Sequence, residues 1–220
     1  MLASDLLITH IPILKPTDAT ARALGIMQDY KISHLPVVSK NKLLGLISEE
    51  AILASTKLNQ KISDYQLAFS HPSVLNSQHV YDVIGVMSNL GITIVPVVDH
   101  ENNYLGLITP GVFVGFFAEI TSLSNPGGII VLEVGQRDYS LLEIAKIVES
   151  NDANILSSYI SSKPDSVKVE VTLKIDKLDL TSIILSFERY NYRVVQSFNQ
   201  NQLFEDSMDR FNSLMNYLNI

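Results

Sequence analysis

Leu35-Pro36-Val37-Val38, followed by Leu44-Gly45-Leu46-Ile47-Ser48, decides the fold, because the chain carries this pattern twice. Sixty residues on stands Val95-Pro96-Val97-Val98 and, after a one-residue insertion, Leu105-Gly106-Leu107-Ile108-Thr109. Upstream, Thr20, Ala23, Leu24 and Met27 fall on Val80, Val83, Ile84 and Met87. Both sets sit at i, i+3, i+4, i+7, which is one apolar stripe of a helix. A repeat of this length fixes the architecture before any single motif does. Each unit reads as a helix, a short β-branched strand opened by proline, a polar turn, a second short strand, and a Ser or Thr capping a following helix. Pro36 and Pro96 cannot donate to a ladder, so each belongs at a strand start or edge. Gly45 and Gly106 permit a backbone position that is unusual or closely approached. One unit alone leaves its sheet face exposed. Two copies bury those faces against each other about a pseudo-twofold axis, with a cleft on each side.

These residues resemble a tandem pair of CBS domains, the module named after cystathionine beta-synthase, over about residues 1–120. The resemblance implies a non-catalytic regulatory protein. It implies adenosine-containing ligands in the clefts (AMP, ADP, ATP or S-adenosylmethionine), a regulated partner protein, and a homodimer formed through CBS pairing. Carried onto this chain, it places Ile13, His34, Pro36, Val37 and Ser48 around the first cleft, and Val74, Pro96, Val97 and Thr109 around the second. The family's ligand motif runs glycine, apolar, any residue, Ser/Thr, two residues, then aspartate, which holds the ribose. Here the aspartate positions are Ala51 and Val112. Glu50 is one residue out of step, and one step on a helix turns a side chain by about 100°. A hydrogen bond to a charged group contributes about 1.5–3 kcal/mol. Two lost ribose bonds therefore account for roughly a hundredfold in affinity or more. The alternative reading is a structural protein that dimerises through its modules, with vestigial clefts in which Ser48 and Thr109 serve only as helix caps.

After Glu119, Ser122-Leu123-Ser124-Asn125-Pro126-Gly127-Gly128 reads as a linker. Beyond it, Ile129 to Val134 predicts a strand, and Ser140 caps a helix with the stripe Leu141, Ile144, Ala145 and Val148. Asn154 to Ser161 is a strand and Lys163-Pro164-Asp165 a turn. Lys168 to Ile175 alternates strictly, with Val169, Val171, Leu173 and Ile175 on one face and Lys168, Glu170, Thr172 and Lys174 on the other. A second helix carries Leu180, Ile183, Ile184 and Phe187, and Tyr192 to Phe198 closes as a strand. The order βαββαβ is the split βαβ, ferredoxin-like unit. Over about residues 128–200 it resembles an ACT domain, a small-molecule-sensing module. That resemblance implies a site near Asp138, Tyr139 and Ser140, although the glycine usual after the aspartate is missing. In 201–220, Phe204, Met208, Phe211, Met215 and Leu218 form a heptad-like seam, docked on its own domain, packed across a dimer or offered to a partner. The expected division is 1–60 and 61–121 as CBS motifs, 122–128 as linker, 129–200 as ACT-like domain and 201–220 as an amphipathic helix. The fold class is α+β. The combination is similar to the acetoin-utilisation accessory proteins of the AcuB type.

Composition narrows the function classes. Of 220 residues, 46% are hydrophobic and 18% charged, and the mean hydropathy is +0.20, which is a folded composition. There is no cysteine, so thiolate metal sites, disulfides and thiol nucleophiles are excluded, and a cytoplasmic location fits. A net charge of -7 and a pI of about 5.1 argue against nucleic-acid or anionic-membrane partners. The N-terminus has no basic region of a signal peptide. The apolar run Asn102 to Ala118 is broken by Pro110-Gly111 and reads as buried core. No Walker loop, GxGxxG or GxSxG is present. His10, His34, His71, His79 and His100 form no HxxxH or HxH pair, so no metal site and no catalytic residue is expected.

Overall fold

The repeat folds as two copies of one hairpin. β1 (His34–Ser39) pairs antiparallel with β2 (Lys42–Ser48), and β4 (Val95–Val98) pairs with β5 (Tyr104–Ile108). Both hairpins shift register at the same place, between Val37 and Val38 and between Val97 and Val98. The bulges face the two repeat glycines, which serve for different reasons. Gly45 adopts φ 147°, a conformation open to glycine. Gly106 is crowded: a Cβ there would lie 2.6 Å from Leu7 Cδ2 and 2.7 Å from the Ile8 carbonyl oxygen. The N-terminal segment closes on that spot, where Ile8 and Leu107 exchange backbone hydrogen bonds of 2.9 and 3.1 Å. The computed structural model describes residues 1–55, 60–65, 72–164 and 166–199. The seam of 201–220, His71 and Asp165 lie outside the described residues.

The chain divides into two units, Met1–Val114 and Gly115–Ile220. In the first unit, β1 gains a parallel neighbour at Leu14, just as β4 gains β3 (Val74–Leu75). Pro36 lies inside β1 rather than at its start, without loss of a ladder bond. Its carbonyl accepts from Leu14, so its nitrogen faces the same side, where pairing is a single bridge. α1 (Thr20–Tyr30) buries Thr20, Ala23 and Met27. α3 (Val80–Leu90) buries Val80 and Val83 but leaves Ile84 40% exposed, so the stripe read from the sequence is only half covered there. α1 ends on Lys31 at φ 55°, and α3 ends on Gly91 at φ 62°. Glycine adopts the left-handed conformation freely, whereas for lysine it costs about 1–2 kcal/mol. Short helices follow each hairpin: α2 (Glu49–Leu53) and α4 (Pro110–Ile120).

The repeats exchange their lead-in segments. The 3-10 turn Ala3–Leu6, at the head of the first repeat, docks on the start of α3: Ala3 N–H donates to the Gln78 carbonyl at 2.9 Å and Ser4 N–H to the Asn76 carbonyl at 3.1 Å. The turn Ile62–Asp64, at the head of the second repeat, docks on the start of α1, with Ile62 N–H to Asp18 at 2.9 Å and Ser63 N–H to Pro16 at 2.8 Å. Asp5 and Asp64 hold these turns alike, accepting from Leu2 N–H at 2.8 Å and Lys61 N–H at 3.1 Å. Leu14, Val37, Val97 and Leu107 are fully buried in the assembled frame. Each such side chain contributes about 1.5–3 kcal/mol by leaving water.

The second unit carries the βαββαβ order: β6 (Gly128–Gly135), α5 (Leu141–Glu149), β7 (Ile155–Ser162), β8 (Lys168–Ile175), α6 (Thr181–Arg189) and β9 (Arg193–Asn199). Its four strands stand in the order β7-β8-β6-β9, all neighbours antiparallel. α5 and α6 pack on one face of the sheet over Ile130, Leu132, Val171 and Leu173. The boundary between the units falls inside α4, not in the expected linker at 122–128. The C-terminal turn of α4 accounts for this, since the Ser157 hydroxyl on β7 donates to the Thr121 carbonyl at 2.9 Å. The alternation in β8 holds for its apolar face. Lys174 departs from the polar face, being only 9% exposed.

Candidate ligand clefts

His34 and Ser48 face each other across the end of the first hairpin, in register. With Ser33, Glu49, Glu50, Leu53 and Ala54 they line a cleft of about 610 Å³. The Ser48 side chain is the N-cap of α2: its oxygen accepts from Ala51 N–H at 3.1 Å. Its own O–H remains a donor. Among the described residues lining this cleft, Glu49 and Glu50 carry charge and no cation stands beside them.

His34 is neutral in this setting. Its Nδ1 accepts from Thr93 N–H at 3.3 Å and lies 3.1 Å from the Thr93 hydroxyl. That hydroxyl oxygen in turn accepts from Ser33 N–H at 2.9 Å. With Nδ1 an acceptor, the ring proton belongs on Nε2. Burial holds the imidazole pKa below its ordinary value. Ser33 and Thr93 occupy equivalent places in the repeat, so this knot joins the two copies at matching positions.

Thr109 lines the second cleft, of about 500 Å³, together with His10, Tyr30, Lys31, Thr93 and the first turn of α4. α4 opens with Pro110, which has no N–H to satisfy, and the Val112 N–H goes to the Thr109 carbonyl at 3.1 Å. Lys31 and His10 come from the first repeat, and no carboxylate lines this cleft among the described residues. Sequence reading missed both. Lys31 had one signal: lysine stands where the second repeat has Gly91.

The structure brings His34 and Ser48 together in one cleft and puts Thr109 in the other. It puts Pro36, Val37, Val74, Pro96 and Val97 in the buried strands behind the clefts, outside both linings. Ile13 packs instead on the small cluster of Val38, Leu43 and Val98 near the hairpin turns. Ala51 is exposed on α2 and Val112 is half-buried on α4. In the second unit, the Ser140 hydroxyl caps α5 by accepting from Glu143 N–H at 3.3 Å. Tyr139 packs on the core, and Asp138 is exposed with its carboxylate folded over Gly135. Of these three, only Ser140 borders the nearby cleft, which also takes in Glu143. Glu143 accepts from the Tyr192 hydroxyl at 2.8 Å, and burial with this carboxylate pushes the phenol up to about 12. No helix among the described residues is long and apolar enough to cross a membrane.

Comparisons with known proteins give partial matches. Over 110 residues the chain is 28% identical to inosine-5'-monophosphate dehydrogenase of Methanocaldococcus jannaschii, which covers 49% of this chain. The match spans only 22% of that enzyme's length. Among solved structures, a putative acetoin utilization protein (AcuB) from Vibrio cholerae is 25% identical with a TM-score of 0.49, covering 56% of this chain and 95% of that one. A CBS domain pair/ACT domain protein from Thermotoga maritima is 16% identical with a TM-score of 0.49, covering 54% of this chain and 98% of that one. The family model of the CBS domain matches twice, at residues 3–56 and 67–115, so the chain carries a tandem pair of CBS domains over these residues.

Proposed function

We infer that the chain is a non-catalytic regulatory protein that binds an adenine nucleotide through its CBS pair, in the second cleft rather than the first. The observation that carries this is the opposite charge of the two clefts. Lys31, His10 and the Thr109 hydroxyl line one, whereas Glu49 and Glu50 line the other beside a neutral His34. Charge-assisted hydrogen bonds from an ammonium and a hydroxyl suit a phosphate. A phosphate about 6 Å from a carboxylate meets roughly 3 kcal/mol of repulsion at an effective dielectric of about 20. Val112 in place of the family's aspartate leaves the ribose without a carboxylate, so affinity is modest. AMP, ADP and ATP fit this reading; S-adenosylmethionine, which carries no phosphate, fits the acidic cleft better.

The βαββαβ unit supports an ACT-like module following the pair in the chain, and the half-covered stripe of α3 supports a homodimer. The second reading, a structural protein with vestigial clefts, is favoured by one observation: the Ser48 oxygen already serves as a helix cap. Calorimetric titration with AMP, ADP and ATP separates the two. The regulatory reading expects one site per chain, weakened about tenfold or more in Thr109→Val and Lys31→Met and unchanged in Ser48→Ala. Absence of binding by all three nucleotides would overturn the nucleotide reading and favour the structural one.

A further inference from the structure

The sheet of the second unit has a second face, opposite α5 and α6. Across its four strands one register row reads Ser157, Lys174, Ile129 and Phe198. Phe117 and Leu123, both largely exposed, flank this face and line with it a cavity of about 410 Å³. That volume lies in the range of small-ligand sites.

Lys174 is the anomaly. It sits on an inner strand, 9% exposed, and its ammonium makes one long hydrogen bond, 3.3 Å to the Gly127 carbonyl. An ammonium has three donors. Lys168, on the same strand and face, pairs with Glu133 at 2.6 Å. Glu170, the one carboxylate lining the cavity, pairs with Lys163 at 3.6 Å. Among the described residues, no carboxylate pairs with Lys174. A buried cation without a counter-ion is costly to fold around.

We propose that this cavity binds a small organic monoanion, a carboxylate that pairs with Lys174 and carries an apolar body against Ile129, Val131 and Phe198. One ammonium answers one negative charge, and a dianion such as a phosphate monoester would bring a second, unanswered charge into a cavity that Glu170 also lines. The site is independent of the nucleotide clefts.

The test uses the full chain and 3-phenylpropionate, with 3-phenylpropanamide as its neutral counterpart, in calorimetric titrations. The wild type is expected to bind the acid roughly tenfold or more tightly than the amide. Lys174→Met is expected to lose that preference and to melt, ligand-free, at or above the wild-type temperature. Lys174→Arg is expected to keep the preference. Three outcomes overturn the proposal: no binding of the acid at millimolar concentration, equal binding by Lys174→Met, or a lower melting temperature of ligand-free Lys174→Met. The last would mean that the bond to the Gly127 carbonyl already satisfies the ammonium.

Discussion

The two CBS repeats share a frame and differ at its rim. Hairpin, bulge, parallel neighbour and lead-in turn recur from one to the other. At the rim, Lys31 answers Gly91, His34 answers Ile94, and Glu49-Glu50 answer Pro110-Gly111. The conserved part of the duplication is what excludes water, and the divergent part is what faces it. A residue in the left-handed region at the edge of a cleft shows this well. Lys31 holds a costly backbone conformation that Gly91 adopts freely, and it puts a cation on the cleft formed with the other repeat.

Several substitutions would break or sharpen this contrast. The largest effects should come from the shared frame. Leu46→Ala and Leu107→Ala, both buried at equivalent places, should each lower stability by about 2–5 kcal/mol in urea unfolding. Similar losses would confirm an equivalent frame; a loss confined to one repeat would break the symmetry. Gly106→Ala should cost about 1–3 kcal/mol, because the new Cβ would force the Leu7–Ile8 segment away. Lys31→Gly makes the two helix ends alike. It should weaken AMP binding by about tenfold, close to 1.4 kcal/mol, while raising stability by about 1 kcal/mol. Tighter binding on this change would refute the assignment of the basic cleft. Ser48→Ala should cost about 1 kcal/mol through loss of the α2 cap, read as a shift in melting temperature.

The smallest effect is that of pH at His34. Burial depresses its folded pKa below the ordinary 6.5, so the unfolded chain takes up the proton first as pH falls. Its contribution to stability is therefore complete above pH 6.5 and is lost as pH falls through the folded pKa. Melting curves of His34→Gln should be flatter across that window than those of the wild type.

The frame was legible in the sequence because period and burial coincide. Val169, Val171, Leu173 and Ile175 all reach the core of the second unit, and Ser140 caps α5 where its position in the chain implied. The clefts were less legible. A Pro-Val-Val strand announces itself by hydrophobicity, and hydrophobicity puts Val37 and Val97 behind the site rather than in it. His34 and Ser48, polar and in register, reach the cleft. Lys31 and His10 come to the second cleft from the other repeat, so no local pattern links them to Thr109. Lys174 was hidden by its own alternation, which marks the polar face of a strand but not whether another segment covers it.

The swapped lead-in turns impose an order on synthesis. The Ala3–Leu6 turn leaves the ribosome about seventy residues ahead of its hydrogen-bonding partners, Asn76 and Gln78. At about 5–20 residues per second, that turn waits several seconds for the segment that completes it. The first repeat waits likewise for Ile62 and Ser63 to close the start of α1. Neither repeat is a self-sufficient nascent domain: a fragment cut between them would lack the turn at the head of a helix that its twin supplies.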